Sequence, residues 1–127
     1  MPLVRISLMT GKSAVFLKTL SDAVHRAMVE TMDVPPLDRF QVITEHTPAT
    51  LYYDASYLGI ERTDEIIIIQ ITLNEGRTLD TKRTFYQRTV QLLEKSLKIR
   101  SEDVMIGLVE VKKENWSFGR GIAQYAP

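Results

Sequence analysis

Cysteine is absent from this chain of 127 residues, which excludes disulfides, thiolate catalysis and cysteine-ligated zinc. Net charge is absent too. Sixteen basic and sixteen acidic side chains cancel, leaving no electrostatic footprint for nucleic acid or an anionic membrane. No apolar run is longer than Ile66 to Ile69, a strand's length and far short of a membrane span. The opening stretch from Leu3 to Met9 is interrupted by Arg5 and is too short for the apolar region of a signal peptide. The expectation is a soluble, cytoplasmic protein with no nucleic-acid or membrane partner. Metal ligands are also scarce. His25 falls on an expected helix and His46 in a loop, neither with a second ligand at metal spacing, so surface or packing roles are expected for both. Gly11-Lys12-Ser13 lacks the upstream glycine that a phosphate-binding loop needs.

What is present begins at the second residue. Pro2 follows the initiator Met1, which is expected to be trimmed when so small a residue follows, leaving a secondary amine as the N-terminus. An α-amino group titrates at about 7.7–8.0, and desolvation or a nearby cation pulls it toward neutrality, so such an amine can carry protons at physiological pH. A Met-Pro start alone does not make a site. It needs partners.

Sliding the chain by 65 positions brings its halves into register. The turn Thr10-Gly11-Lys12-Ser13 falls on Glu75-Gly76-Arg77-Thr78, Asp38 falls on Asp103, and apolar positions such as Phe40 and Ile43 fall on Met105 and Leu108. The repeat spans about 2–45 and 66–111, followed by a tail from 112 to 127, within one domain covering 1–127. Each half reads as strand, turn, helix, strand. Val4, Ile6 and Leu8 alternate with Arg5 and Ser7 as a half-buried strand, and Phe16, Leu20, Ala23, Val24, Ala27 and Met28 follow helical spacing. Ser13 is an expected N-cap, Pro35 and Pro36 end the helical region, and Phe40 to Thr44 returns as a strand. The second half predicts a strand over Ile66 to Leu73, a helix over Leu79 to Leu97 and a strand over Val104 to Val111.

Each strand–helix–strand unit should be parallel and right-handed. The expected fold is therefore α+β, a duplicated βαβ unit whose four-stranded mixed sheet carries two helices on one face. The insert from Glu45 to Asp64 lacks periodicity, and its tyrosines suggest a packed loop. Alternation leaves Leu3, Arg5, Ser7, Ile66, Ile68, Gln70 and Thr72 on the other sheet face, too apolar to stay in water, which predicts an oligomer.

If the first strands of the halves lie antiparallel, Pro2, Arg77 and Asp38 converge on one mouth: an amine, a guanidinium and a carboxylate. The symmetry-related mouth offers Ile67, Lys12 and Asp103 and lacks the amine, so one site per chain is expected. Taken singly, Arg77 also fits a solvated turn residue and Asp38 a turn cap, while Trp116 and Phe118 fit the cover of a core edge.

At Met1-Pro2-Leu3, Pro36-Leu37-Asp38-Arg39-Phe40, Gly76-Arg77-Thr78 and Trp116-Ser117-Phe118-Gly119 the chain resembles the tautomerase superfamily over nearly its whole length. The resemblance is closest to the branch of malonate semialdehyde decarboxylases and their tautomerase-annotated relatives. It implies that Pro2 transfers the proton, Arg77 binds a substrate carboxylate, Asp38 orients or activates water or a reacting carbonyl, and Trp116 and Phe118 form an apolar wall. It also implies a homotrimer and needs no cofactor or metal. Some decarboxylases carry a second arginine just upstream; here Asn74 and Glu75 occupy that region. The activity this suggests is keto-enol tautomerisation of a small 2-oxo or enol acid. Hydration or decarboxylation of a 3-oxo acid in the same site is the alternative, and a binding protein on the same scaffold is the non-enzymatic one.

Overall fold

A computed structural model describes residues 1–127. Strand β1 (Leu3–Met9) leads through a glycine turn into helix α1 (Ala14–Met32), and the chain returns as β2 (Phe40–His46). After the insert come β3 (Ile67–Asn74), α2 (Leu79–Leu97) and β4 (Val104–Val111). The sheet order is β2-β1-β3-β4. β1 runs parallel to β2 and β3 parallel to β4, while the central β1 and β3 are antiparallel. Arg5 and Gln70, which the repeat equates, are cross-strand partners, so the pseudo-twofold axis passes between them.

The duplication extends to the helix ends. The Ser13 hydroxyl accepts from the Phe16 N–H at 3.0 Å, and the Thr78 hydroxyl from the Thr81 N–H at 3.2 Å, each satisfying an otherwise orphaned donor in a first turn. Gly11 and Gly76 precede these caps with φ of 113° and 121°, a region that favours glycine. Both helices stop at a left-handed residue, Asp33 with φ 56° and Lys98 with φ 55°.

Alternation in β1 sends Val4, Ile6 and Leu8 into the core, and β3 contributes Ile67, Ile69, Ile71 and Leu73. Both strands pack beneath α1 and α2, where Leu20, Val24, Met28, Phe85 and Leu93 are buried. Arg88 of α2 reaches Glu30 of α1 at 2.5 Å, tying the helices together on their solvent side, and Arg26, one turn earlier on α1, meets the same carboxylate at 2.7 Å.

Several expectations shift. β2 runs on to His46 and β3 occupies Ile67–Asn74, one residue later than the apolar pattern suggests. Ile66 is buried, which removes it from the open sheet face. The insert is fixed less by its tyrosines than by polar bonds. Tyr52 and Tyr57 are exposed, whereas Tyr53 donates to Asp64 at 2.7 Å and Arg62 bonds the carbonyls of Asp54, Tyr57 and Ile60. The rest of the open face is the expected mixture of apolar and polar side chains: Arg5 and Gln70 lie exposed on the central strands, and Phe40 and Met105, equivalent in the repeat, are 55% and 53% exposed on the two edge strands. No helix is long and apolar enough to cross a membrane.

Candidate active site

The strand pairing decides what meets at the start of β1. Leu3 pairs with Phe40 in the parallel direction, so Asp38, two residues ahead of β2, lies beside the N-terminus. Leu3 also pairs with Thr72 in the antiparallel direction, so the end of β3 and the turn that follows reach the same mouth. That turn carries Arg77. Pro2 is buried at the head of β1, and the Met1 amine stands 3.9 Å from Asp38 Oδ2.

Burial lowers the pKa of this terminal amine below its ordinary value. The Asp38 carboxylate opposes that shift, while Arg77 and Lys113 add to it by like-charge repulsion. Lys113 is a contributor that sequence reasoning did not single out. It comes from the tail, which β4 delivers beside the Arg77 turn: Asn74 pairs with Val111, and the Glu75 N–H donates to the Val111 carbonyl at 2.9 Å.

Asp38 is under-used by the protein. Its Oδ1 is buried without a hydrogen-bond partner. The equivalent Asp103 is fully buried and accepts from the Thr63 N–H at 2.7 Å, the Thr63 hydroxyl at 2.8 Å and Arg100 at 3.3 Å. One copy of the aspartate is therefore tied into the structure, and the other is left with free acceptor capacity at a mouth.

Arg77 has no acidic partner within ion-pair distance. Its Nε and Nη2 donate to the Met32 carbonyl at the end of α1, at 3.3 and 3.0 Å, and Nη1 donates to the Asn74 carbonyl at 3.3 Å. A guanidinium has five N–H donors, so Nη1 and Nη2 each keep one, a fork suited to an incoming carboxylate. The side chain thus cannot be only a solvated turn residue. It closes the last turn of α1 while keeping part of its binding capacity.

The Trp116 indole stacks on Phe118 with centroids 5.4 Å apart at 17°, and Phe118 meets the edge of Tyr125 at 4.9 Å. The indole N–H donates to Asn74 Oδ1 at 2.8 Å. Asn74 therefore holds the aromatic wall through its side chain and Arg77 through its carbonyl, a link invisible in sequence because the partners lie 42 residues apart. Met1, Leu3, Phe40, Trp116, Ser117 and Phe118 line a cleft of about 220 Å³. Pro2, Asp38 and Arg77 do not line it in this state, where Met1 occupies the mouth.

A larger cavity, about 350 Å³, opens at the symmetry-related mouth beside Lys12 and Ile67. Volume and chemistry disagree here, and chemistry decides. Ile67 stands in the place of Pro2, Lys12 is paired with Glu65, and Asp103 has its partners. Neither mouth gathers three His, Asp or Glu side chains in a metal-holding arrangement.

Two family models, each described as tautomerase enzyme, match residues 38–119 and 2–59. The probable tautomerases YusQ and YrdN of Bacillus subtilis strain 168 are 43% and 35% identical to this chain. YusQ is matched over 98% of both chains, and YrdN over 98% of this chain and 96% of its own. Among solved structures, a malonate semialdehyde decarboxylase shares 32% identity and a TM-score of 0.89 over 97% of this chain and 95% of its own. The malonate semialdehyde decarboxylase FG41, inhibited by 3-bromopropiolate, shares 35% identity and the same TM-score over 97% and 93%. With relatives this similar over almost the full length and the duplicated βαβ sheet in place, the chain belongs to the tautomerase family and is an enzyme of that superfamily.

Proposed function

We propose that this enzyme is a cofactor-independent tautomerase acting as one domain on a small 2-oxo or enol carboxylic acid, with the amine of Pro2, exposed after loss of Met1, as proton carrier. The observation that carries this reading is the Met1 amine beside the buried Pro2, 3.9 Å from Asp38 and close enough to Arg77, which has no acidic partner, for that cation to lower its pKa.

Ketonisation needs one proton to leave an enol oxygen and one to arrive at carbon. The neutral Pro2 nitrogen takes the hydroxyl proton as the O–H pair becomes the C2=O π bond, and the C2=C3 pair accepts a proton at C3 from the same ammonium. Arg77, through its two remaining donors, fixes the carboxylate and stabilises charge building on the neighbouring oxygen. Asp38 orients the reacting carbonyl. Trp116 and Phe118 exclude water and strengthen these interactions by lowering the local dielectric.

Hydration or decarboxylation of a 3-oxo acid is the second reading, favoured by the similarity to two malonate semialdehyde decarboxylases and by the Asp38 carboxylate, which holds the amine toward its cationic form. The open sheet face, with Phe40 and Met105 exposed on its two edge strands, supports a homotrimer.

Phenylpyruvate enol and malonate semialdehyde, assayed across pH with wild type and Pro2→Ala, separate these readings. A base must be neutral, so tautomerase kcat/KM should rise with pH through the amine's pKa and collapse in Pro2→Ala. A profile that falls through that pKa on malonate semialdehyde would establish the acid-catalysed reading instead. Turnover of neither substrate would leave a binding protein.

A further inference from the structure

We propose that His25 is a positioning residue for Asp38, its imidazole holding the Pro35–Asp38 turn so that the carboxylate faces the N-terminal amine. The inference rests on the functional reading above, in which that amine carries the proton.

His25 lies on the buried side of α1, and its Nε2 is 2.7 Å from the Pro36 carbonyl. A carbonyl only accepts, so Nε2 bears the proton and Nδ1 of the neutral ring is a bare acceptor. Nδ1 is buried and has no partner. A buried acceptor left unsatisfied is unfavourable, and an apolar side chain would fill the same stripe without that cost. Packing alone therefore does not account for a histidine here.

The turn it grips has few other handles. Pro35 and Pro36 have no N–H to donate, so the segment is held through its carbonyls and through the Asp38 N–H, which bonds the Pro35 carbonyl at 3.0 Å. Leu37 points into solvent. On the far side of Asp38, Arg39 bonds Ser21 at 2.6 Å and Asp22 at 2.7 Å, so helix α1 clamps the aspartate from both flanks. The internal repeat supplies a control. Asp103, the copy of Asp38, is fixed directly by Thr63 and Arg100, and the helix position equivalent to His25 is Val90. Where the carboxylate is tied by its own bonds, a hydrophobe suffices; where it is left free, the helix provides a hydrogen-bond donor to the turn that carries it.

The test reads the amine directly. The mature protein is labelled with ¹⁵N-proline; on the Met1 amine, one residue ahead, Asp38 raises the pKa while Arg77 and Lys113 lower it, and the same three charges are expected to act on the Pro2 amine. Displacing Asp38 should therefore lower its pKa. His25→Val should shift the amine's titration downward in the same direction as Asp38→Asn, and reduce kcat/KM on phenylpyruvate enol by about ten- to a hundredfold. His25→Gln, whose amide N–H can reach the Pro36 carbonyl, should restore most of both. In an Asp38→Asn background His25→Val should shift the amine no further. Should His25→Val not fold, His25→Asn, with its shorter reach, carries the same expectation. A lowered Tm with wild-type amine titration and turnover, or a shift that adds to that of Asp38→Asn, would overturn the proposal. Because titration is read without substrate, the expected shifts in a protein that turns over neither acid would refute the catalytic reading while leaving the positioning role intact.

Discussion

Asp38 and Asp103 occupy the same place in the two repeats, yet truncating them should have opposite consequences. Asp103→Ala removes a fully buried carboxylate that accepts two short bonds from Thr63 and a longer one from Arg100. Hydrogen bonds to charged groups contribute about 1.5 kcal/mol or more each, so the two Thr63 bonds represent about 3 kcal/mol. Arg100 is partly exposed, and its share is screened by water. For a chain of this length, roughly 4 °C of Tm per kcal/mol converts this to a fall of about 12 °C. Asp38→Ala removes a carboxylate with one oxygen unpartnered and the other 3.9 Å from the amine, which should cost at most about 1 kcal/mol. Its kcat/KM should nonetheless drop by about a hundredfold or more. Thermal melts at matched protomer concentration, paired with turnover of folded protein, read both effects. An Asp38→Ala variant as destabilised as Asp103→Ala, or one with wild-type turnover, would show that the reasoning from unsatisfied acceptors is wrong.

Arg77→Ala should raise KM and lower kcat together, with kcat/KM down by about a hundredfold, because a carboxylate clamp acts in the ground state and the transition state; a wild-type KM would remove the clamp. Asn74→Leu takes the acceptor from the only tryptophan, so the Trp116 emission spectrum should shift and KM should rise, while an unchanged spectrum would mean that the indole does not depend on Asn74 in solution. Hydrogen bonds from Arg88 and then Arg26 hold the Glu30 carboxyl down to about 2. A depressed carboxyl stabilises the fold above its unfolded value of 4.5 and loses that contribution as pH falls through about 2. The stability gap between wild type and Glu30→Gln in urea melts should therefore be present near neutrality and close in strong acid; a gap that persists in strong acid would mean the arginines do not act through charge.

Most of the scaffold is legible in the sequence because it is written twice. The helix bounds Leu79–Leu97 follow from apolar spacing, and the match of Gly11-Lys12-Ser13 to Gly76-Arg77-Thr78 fixes the repeat that the sheet then displays. The mouth shared by the terminal amine, Asp38 and Arg77 was also derivable, since it depends only on strand direction. What escapes the sequence is the use each side chain is put to. Nothing in the pattern tells that Arg77 spends three donors on carbonyls, that Asn74 receives the indole proton, or that His25 grips a proline carbonyl. Those bonds join residues 3 to 45 positions apart, through atoms whose direction is set by packing. Ile66 fails for a related reason: strand alternation assigned it to the open face, but it precedes β3 and is buried outside the main core.

The central claim is that the secondary amine of Pro2 moves the proton. Titrating that nitrogen by ¹⁵N NMR in the mature enzyme, confirmed by intact mass to lack Met1, and comparing its midpoint with the limb of kcat/KM against pH, tests it most directly. The two midpoints should coincide and lie below the ordinary α-amino value of about 7.7–8.0, the direction in which burial moves the Met1 amine one residue ahead. An active enzyme that retains Met1, or a proline amine that titrates away from the kinetic limb, would contradict the account.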